Sequence, residues 1–346
     1  MTTLGTGSLP TLPTAPVAVW PGSPTAVDPR AVGVMTLLCL TWSLQQISLK
    51  AIAPQISPML MVAIRSAVAL VLLIGLMQQR GEGLARHRWK PGAWAGALFG
   101  LEYVLVSQAL QLTHASHVVV FLYTAPIFAA LGLHARLPSE RLGLVQWAGI
   151  GLAFAGIAAA FLGEPSSVAS GAGGRAMLGD ALALLAGVAW GATTVTIRCS
   201  TLAAAPPTET LSYQLLGALV LLVPVAWLTG QWHIEWSHAV MAHLGFQSVI
   251  VSFASFLTWC WLLRRYLASQ LGVFSFLTPL FGVVLGAWLL QERLEGSFIV
   301  GSAFVLVGIG LVSGHAALSK RLASAADRDT GNRDGRPHSD PKVKIR

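Results

Sequence analysis

Apolar residues fall into long, nearly unbroken runs separated by short polar stretches. Ten runs can be marked, at about 31–49, 57–77, 92–111, 114–134, 144–163, 177–197, 208–228, 239–263, 267–290 and 296–312. Each is close to the roughly 17–25 residues a helix needs to cross a hydrocarbon core of about 30 Å. A backbone in lipid must satisfy its own hydrogen bonds, so the runs predict helices. The period-two alternation of a membrane β-barrel is absent.

The flanking segments break this pattern. Residues 1–30 hold six of the 18 prolines together with many Thr and Ser. They lack the basic start and unbroken apolar stretch of a secretory signal, which predicts a disordered tail. Residues 315–346 are polar and rich in Lys, Arg and Asp, which predicts a second one. A linker over 164–176 contains the Gly/Ala turn from Gly171 to Arg175. It lacks the lysine and the preceding strand of a phosphate loop.

Composition narrows the class further. Hydrophobic residues make up 54% of the chain and charged ones 10%, with mean hydropathy +0.67. A soluble domain carries about 25% charge, so an ordinary cytosolic enzyme, a disordered chain and a nucleic-acid module are excluded. The net charge of +8 is a matter of sidedness. With the N-terminus inside, every Lys and Arg except Lys50, Arg175, Arg293 and the intramembrane Arg65 falls on the cytoplasmic side. That bias supports ten spans with both termini cytoplasmic, in a plasma (bacterial inner) membrane. Cys39, Cys199 and Cys260 build neither a disulfide framework nor a metal site. No cofactor is expected.

The two halves echo each other at offsets of 148 to 153 residues. Trp42 matches Trp190, Lys50 matches Arg198, and Pro58 matches Pro207. Ala115-Ser116 matches Ala268-Ser269, Val120-Phe121 matches Val273-Phe274, and Pro126 matches Pro279. Glu140-Arg141-Leu142 matches Glu292-Arg293-Leu294, followed by Gly149/Gly301 and Gly156/Gly308. Five spans per half is an odd number, so the second copy enters the membrane from the opposite side. The expected fold is therefore an all-α integral membrane protein whose ten transmembrane helices form two inverted-topology five-helix repeats. Such repeats suit alternating access around a central site.

These residues, in this order, resemble the drug/metabolite transporter superfamily and within it the EamA-like ten-helix permeases. The likeness rests on Trp42 and Lys50, Trp190 and Arg198, Pro58 with Arg65, Thr124 to Pro126, Leu277 to Pro279, and the two Glu-Arg-Leu segments. It covers 31–163 and 177–314. It implies an inner-membrane permease, usually an exporter of amino acids, other metabolites or drugs. Glu102 departs from the generic pattern.

Glu102 and Arg65 are the charges placed deep in runs, about 13.5 Å and about 12 Å from the outer ends at 1.5 Å per residue. Intramembrane charges are costly. The pair reads either as an ion pair locking two helices or as a site. In the second reading Glu102 binds a cationic or amino group, or takes up a proton in exchange for substrate. Arg65 aligns with Gln214 and Glu102 with Ser255, so the cavity is chemically lopsided. Thr41, Gln45 and Ser48 share one helical face, and Ser248, Ser252, Ser255 and Trp259 another. Trp190 with Thr194 adds a smaller patch. Either stripe serves a cavity or interhelical hydrogen bonds. Trp42, Tyr103, Tyr123 and Trp259 supply an apolar wall or plain core. Pro126 and Pro279 fall inside the fourth and ninth runs, freeing the carbonyls of Leu122 and Ser275, as hinges or static bends. The matched glycines suit a packing face, within the chain or in a homodimer. His114 and His117 read as an ordinary interfacial pair, with a pH-sensing role as the alternative, and Trp89, Trp94, Trp227, Trp232 and Trp236 as anchors at span ends.

The sequence thus supports a secondary transporter exporting a small metabolite (an amino acid, an amine or a drug-like compound), with the bilayer as its surroundings and no nucleic-acid partner. A sugar or nucleotide-sugar permease is the runner-up and lacks cations, since only Arg65 is central. A membrane-embedded enzyme would need a carboxylate pair, a metal cluster or a nucleophile with its base. A channel or sensor would not explain an inverted duplication.

Overall fold

The computed structural model describes residues 29–137, 141–162, 172–265, 274–275 and 277–311. Residues 1–28, the linker segment 163–171 and residues 312–346 lie outside the described residues. So do Glu140, Ala268, Ser269 and Val273 of the repeat pairs. Among the described residues the regular structure is helical, apart from one isolated antiparallel bridge between Ile56 and Ile234.

In chain order the helices are α1 (Pro29–Ala51), α2 (Pro58–Arg80), α3 (Trp89–Leu112), α4 (Ala115–Leu122), α5 (Ala125–Arg136), α6 (Leu144–Leu162), α7 (Ala172–Arg198) and α8 (Pro207–Leu228). Then α9 (His238–Gly245), a π-helical stretch (Phe246–Ser255) and α10 (Phe256–Arg265) form one continuous rod. Last come α11 (Leu277–Leu289) and α12 (Gly296–Leu311). Seven stretches among the described residues are long and apolar enough to cross a membrane: Pro29–Ala51, Pro58–Arg80, Arg86–Leu112, Ala115–Arg136, Gly174–Arg198, Pro207–Leu228 and His238–Trp259. They coincide with the first four runs and the sixth to eighth. The other three runs contain shorter apolar helices, Leu144–Ala159, Leu277–Leu289 and Gly296–Leu311.

Local sequence explains the ends. The Ser57 hydroxyl accepts from the Leu60 amide and Pro58 takes the first turn of α2, where a missing N–H costs nothing. The same helix stops at Gly81, whose φ of 65° allows its N–H to return to the Gln78 carbonyl.

Small residues set the tightest packing. Gly92, Gly96 and Gly100 line one face of α3, against which α8 lies so closely that a Cβ on Gly217 would meet the Gly96 backbone at 2.1 Å. The matched glycines pair across the chain. A Cβ on Gly156 would meet the Gly301 carbonyl oxygen at 2.5 Å, and one on Gly308 the Gly149 carbonyl oxygen at 2.4 Å. These four residues therefore pack α6 against α12 inside the chain.

Exposed apolar side chains such as Leu37, Val71, Leu101 and Val220 ring the bundle, as a lipid-facing surface requires. Trp89, Trp94, Trp227, Trp232 and Trp236 are all exposed. Two apolar grooves open between α2 and α8. One of about 350 Å³ is lined by Leu70, Ile74, Met77 and Leu216, and one of about 240 Å³ by Leu60, Leu219, Val223 and Trp232.

Two local features differ from the sequence expectation. Pro126 does not sit within a continuous helix. α4 ends at Leu122 and α5 restarts at Ala125, which puts Pro126 in the first turn of a new helix. That position tolerates proline because its amide would be unpaired in any case. The Thr124 hydroxyl donates to the Phe121 carbonyl at 2.6 Å, closing the break. From α1, Ser43 donates to the Thr278 oxygen just before Pro279 at 2.6 Å, and the Cys39 thiol donates to the Phe274 oxygen at 3.2 Å. The second difference is the π winding from Phe246 to Ser255. Its wider turn buries Gln247, Val251 and Ser255 together with Ser248 and Ser252. π turns occur often at functional sites.

Candidate functional site

Arg65 on α2 is only 2% exposed. It does not reach Glu102, and among the described residues no carboxylate lies within ion-pair distance of it. Tyr103, one residue on from Glu102 and so turned about 100° around α3, occupies the facing position. The Arg65 guanidinium sits 4.6 Å from the centre of the Tyr103 ring. Its Nη1 donates to Gln247 Oε1 at 2.7 Å. Gln247 Nε2 in turn donates to the Gln45 carbonyl at 2.8 Å, and Gln45 Nε2 donates to the Tyr103 hydroxyl at 3.3 Å. The four residues close a ring drawn from α1, α2, α3 and the π stretch, with the Gln45 main-chain carbonyl as one link. A cation held by a neutral amide and an aromatic face is stabilised without a countercharge.

Glu102 is equally deep, at 5% exposure, and among the described residues its Oε2 has no hydrogen-bond partner. Arg65 Nε is also without one. Buried polar atoms are nearly always paired, and an orphan asks for an explanation such as a ligand, a water or a catalytic or carrier role. Here an acid and a base stand in the same bundle, each incompletely satisfied.

Aromatic side chains gather in the same bundle. Trp42 donates Nε1 to Ser255 Oγ at 3.0 Å and meets Trp259 edge to face at 5.7 Å. Tyr123 meets Trp190 edge to face at 5.1 Å. The Thr194 hydroxyl bonds back to the Trp190 carbonyl within α7. Gln214 is half-buried on α8 and joins none of these contacts. Of the residues the sequence singles out, the structure therefore brings together Arg65, Tyr103 and Gln45, then Trp42, Ser255 and Trp259, then Tyr123 and Trp190. It leaves Gln214 aside.

Gln247 was not among the candidates, although it adjoins the Ser248, Ser252, Ser255 stripe. Only the π winding turns it to Arg65. Ser48 and His243 are a second unexpected pair, with Oγ and Nδ1 2.7 Å apart. Replacing Gln247 by Leu strips the guanidinium of its amide. Gln247→Leu is expected to lower stability in detergent by about 1.5–3 kcal/mol, the worth of a hydrogen bond to a charged group. Gln247→Glu, which supplies a countercharge, should not show this loss. Thermal unfolding of both variants checks the pair.

At one end of the bundle Glu209, 1% exposed, accepts from the Ala85 amide at 2.9 Å and from Arg88 Nη1 at 2.7 Å. It fixes the loop between α2 and α3 against α8. At the other end stand Lys50, Thr113, His114, His117, Asp180 and Glu292. The Lys50 ammonium donates to the last carbonyls of α3, at Leu110 and Thr113, as suits a cation at a helix C-terminus.

Comparison with known proteins agrees with this architecture. The profile of the EamA-like transporter family matches residues 30–162 and again residues 177–314. The uncharacterized transporter YoaV of Bacillus subtilis is 22% identical over 273 residues, covering 78% of this chain and 92% of its own. The uncharacterized transporter YvbV of the same organism is 25% identical over 300 residues, covering 85% and 95%. One crystal structure superposes with a TM-score of 0.57 at 21% identity, over 82% of this chain and 97% of that one. That likeness concerns the fold alone.

Proposed function

The chain belongs to the EamA-like transporter family and is a membrane transporter of the drug/metabolite type, and from that premise we propose that it carries a small metabolite with an amino or cationic group by alternating access. In this reading ten helices form two inverted five-helix halves, both termini are cytoplasmic, and Glu102 meets the positive group of the substrate or exchanges a proton for it. The carrying observation is the buried, unpartnered carboxylate oxygen of Glu102.

Other features support the reading. The two contacts between α6 and α12 exchange with each other when Gly149 is swapped for Gly301 and Gly156 for Gly308, as a twofold relation between halves demands. The Arg65 ring draws Gln247 from the second half into a cluster of first-half residues. It can therefore report the relative position of the halves. Pro126 stands just after the break between α4 and α5, and Pro279 lies in the first turn of α11, which meets α4 where Gly282 touches Val119. The break at Pro126 is a natural hinge. The aromatic side chains suit the apolar body of a substrate. No nucleotide-binding motif occurs in the sequence, which fits flux driven by a gradient or by facilitated diffusion.

The test uses three compounds that share one apolar body: tryptamine, tryptophan and indole-3-acetate. Their uptake is measured in proteoliposomes with and without a pH gradient. Saturable flux of the amine or the zwitterion supports the reading, and flux of the acid alone overturns it. Reporter tags at Gly171 and at the carboxyl end should report opposite faces of the membrane. Tags on one face would end the inverted-repeat scheme.

A further inference from the structure

Resting on that reading and its orientation, we propose that Glu292 is the latch of the outer gate, and that His114 makes the latch hold more tightly as the outside becomes acidic. The first amides of a helix have no partners within it. Those of α4 get none from their own N-cap, because His114 makes no side-chain capping bond. The carboxylate of Glu292, contributed by the second half, takes their place. It accepts from the Ala115 amide at 2.6 Å and the Ser116 amide at 3.1 Å. An anion at this position also meets the positive end of the helix dipole.

The backbone is shaped to deliver it. α11 ends at Leu289, and Gln291 adopts φ 54°, in the left-handed region that a side chain rarely takes. The Leu290 and Glu292 amides both return to the Gly286 carbonyl, at 3.1 and 3.3 Å. A Cβ on Gly286 would stand 2.6 Å from Glu292 Oε2, so the glycine leaves the carboxylate its room.

Further straps cross the halves at this end. Asp180 on α7 accepts from Thr113 Oγ1 at 2.6 Å and from His117 Nδ1 at 3.0 Å. A carboxylate only accepts, so the proton lies on Nδ1 of His117. The His117 ring stacks on Phe298 of α12 at 3.8 Å. All these ties but the stack are polar contacts at helix ends, where water can replace each partner on opening. The backbone crossing of Gly96 and Gly217 has no such substitute. A reversible gate needs contacts of the first kind.

His114 stands at the mouth, with Nδ1 3.7 Å from Glu292 Oε1. It faces Glu292 from the turn before α12, Lys50 from α1, Asp180 from α7 and the His117 ring, 5.5 Å away, from its own helix. The Glu292 carboxylate beside it raises its pKa above 6.5, against burial and Lys50. Burial pushes the Glu292 carboxyl up, but His114 and the two backbone amides outweigh that and hold it at about 2. Glu292 therefore stays ionised at any physiological pH. The extra hold from His114 is complete below its ordinary pKa of 6.5, where it is charged in the open and closed states alike. It fades as pH rises through the raised value of the closed state.

The test needs no substrate. Ser116 is fully buried beneath the latch, so a thiol there reports opening. Ser116→Cys is placed in a chain whose native cysteines are replaced by serine, and intact cells are treated with a membrane-impermeant maleimide. Glu292→Gln should speed labelling at least fivefold. Gly286→Ala, which displaces the carboxylate and keeps every charge, should do the same and stands in if Glu292→Gln fails to fold. The ratio of labelling rates, His114→Asn over parent, cancels the pH dependence of thiol chemistry. It should be at least three at pH 6 and fall toward one as the pH rises. Labelling at the parent rate in both gate variants, or a ratio indifferent to pH, overturns the latch. Labelling from the cytoplasmic face alone overturns instead the orientation on which it rests.

Discussion

Glu102→Gln is expected to leave the protein folded and to lower transport at least tenfold, or to remove its dependence on a proton gradient. The reason lies in the side chain's surroundings. Glu102 Oε2 has no hydrogen-bond partner among the described residues, so an amide of the same size breaks none of the described hydrogen bonds at that atom. The Arg65 guanidinium is held by Gln247 and Tyr103, so it does not lose its partners when the carboxylate goes. A structural salt bridge would behave differently, because removing one member of a buried pair strands the other at a cost of about 3–5 kcal/mol. Proteoliposome flux measured beside thermal unfolding separates the two cases. Unchanged flux with an unchanged pH profile would remove Glu102 from the mechanism. A collapse in stability would make it a structural residue.

Among the described glycines, Gly217→Ala should add the most damaging methyl. The added Cβ would lie 2.1 Å from the Gly96 backbone, and a backbone cannot step aside as a side-chain tip can. α3 and α8 would have to part along their crossing, with an expected loss of about 3 kcal/mol or more, the upper range for overpacking. Gly151→Ala is the matched control. Nothing lies within 4 Å of its new methyl, and alanine in a helix is favoured over glycine by about 0.5–1 kcal/mol. The unfolding temperature should fall sharply in the first variant and hold or rise in the second. Similar values for both would mean that the tight crossing does not support the fold.

Much of this architecture is legible without coordinates. Membrane helices follow from run length and hydropathy, because a backbone in lipid has no other way to satisfy its hydrogen bonds. The glycine matches at Gly149/Gly301 and Gly156/Gly308 marked a packing face, and the structure shows its two sides meeting each other. Trp42 with Ser255 and Trp259, and Gln45 with Tyr103, were candidates that proved to touch.

Other parts were not legible. Depth in the membrane placed Arg65 and Glu102 at one level, but depth says nothing of azimuth, and Tyr103 took the position beside Arg65. Gln247 reaches Arg65 through a π turn, and hydrophobic periodicity carries no sign of that winding. His114 and His117 read as interfacial residues, because their carboxylate partners come from Glu292 and Asp180 in the other half of the chain. Composition and run length are properties of single segments. They determined that this chain lives in a membrane as a bundle of helices, and residue matches at a nearly constant offset showed that its halves resemble each other. Which side chain meets which depends on helix rotation and on contacts between residues up to 235 positions apart. Packing of the whole bundle sets those angles, so only the tertiary structure decided the partners.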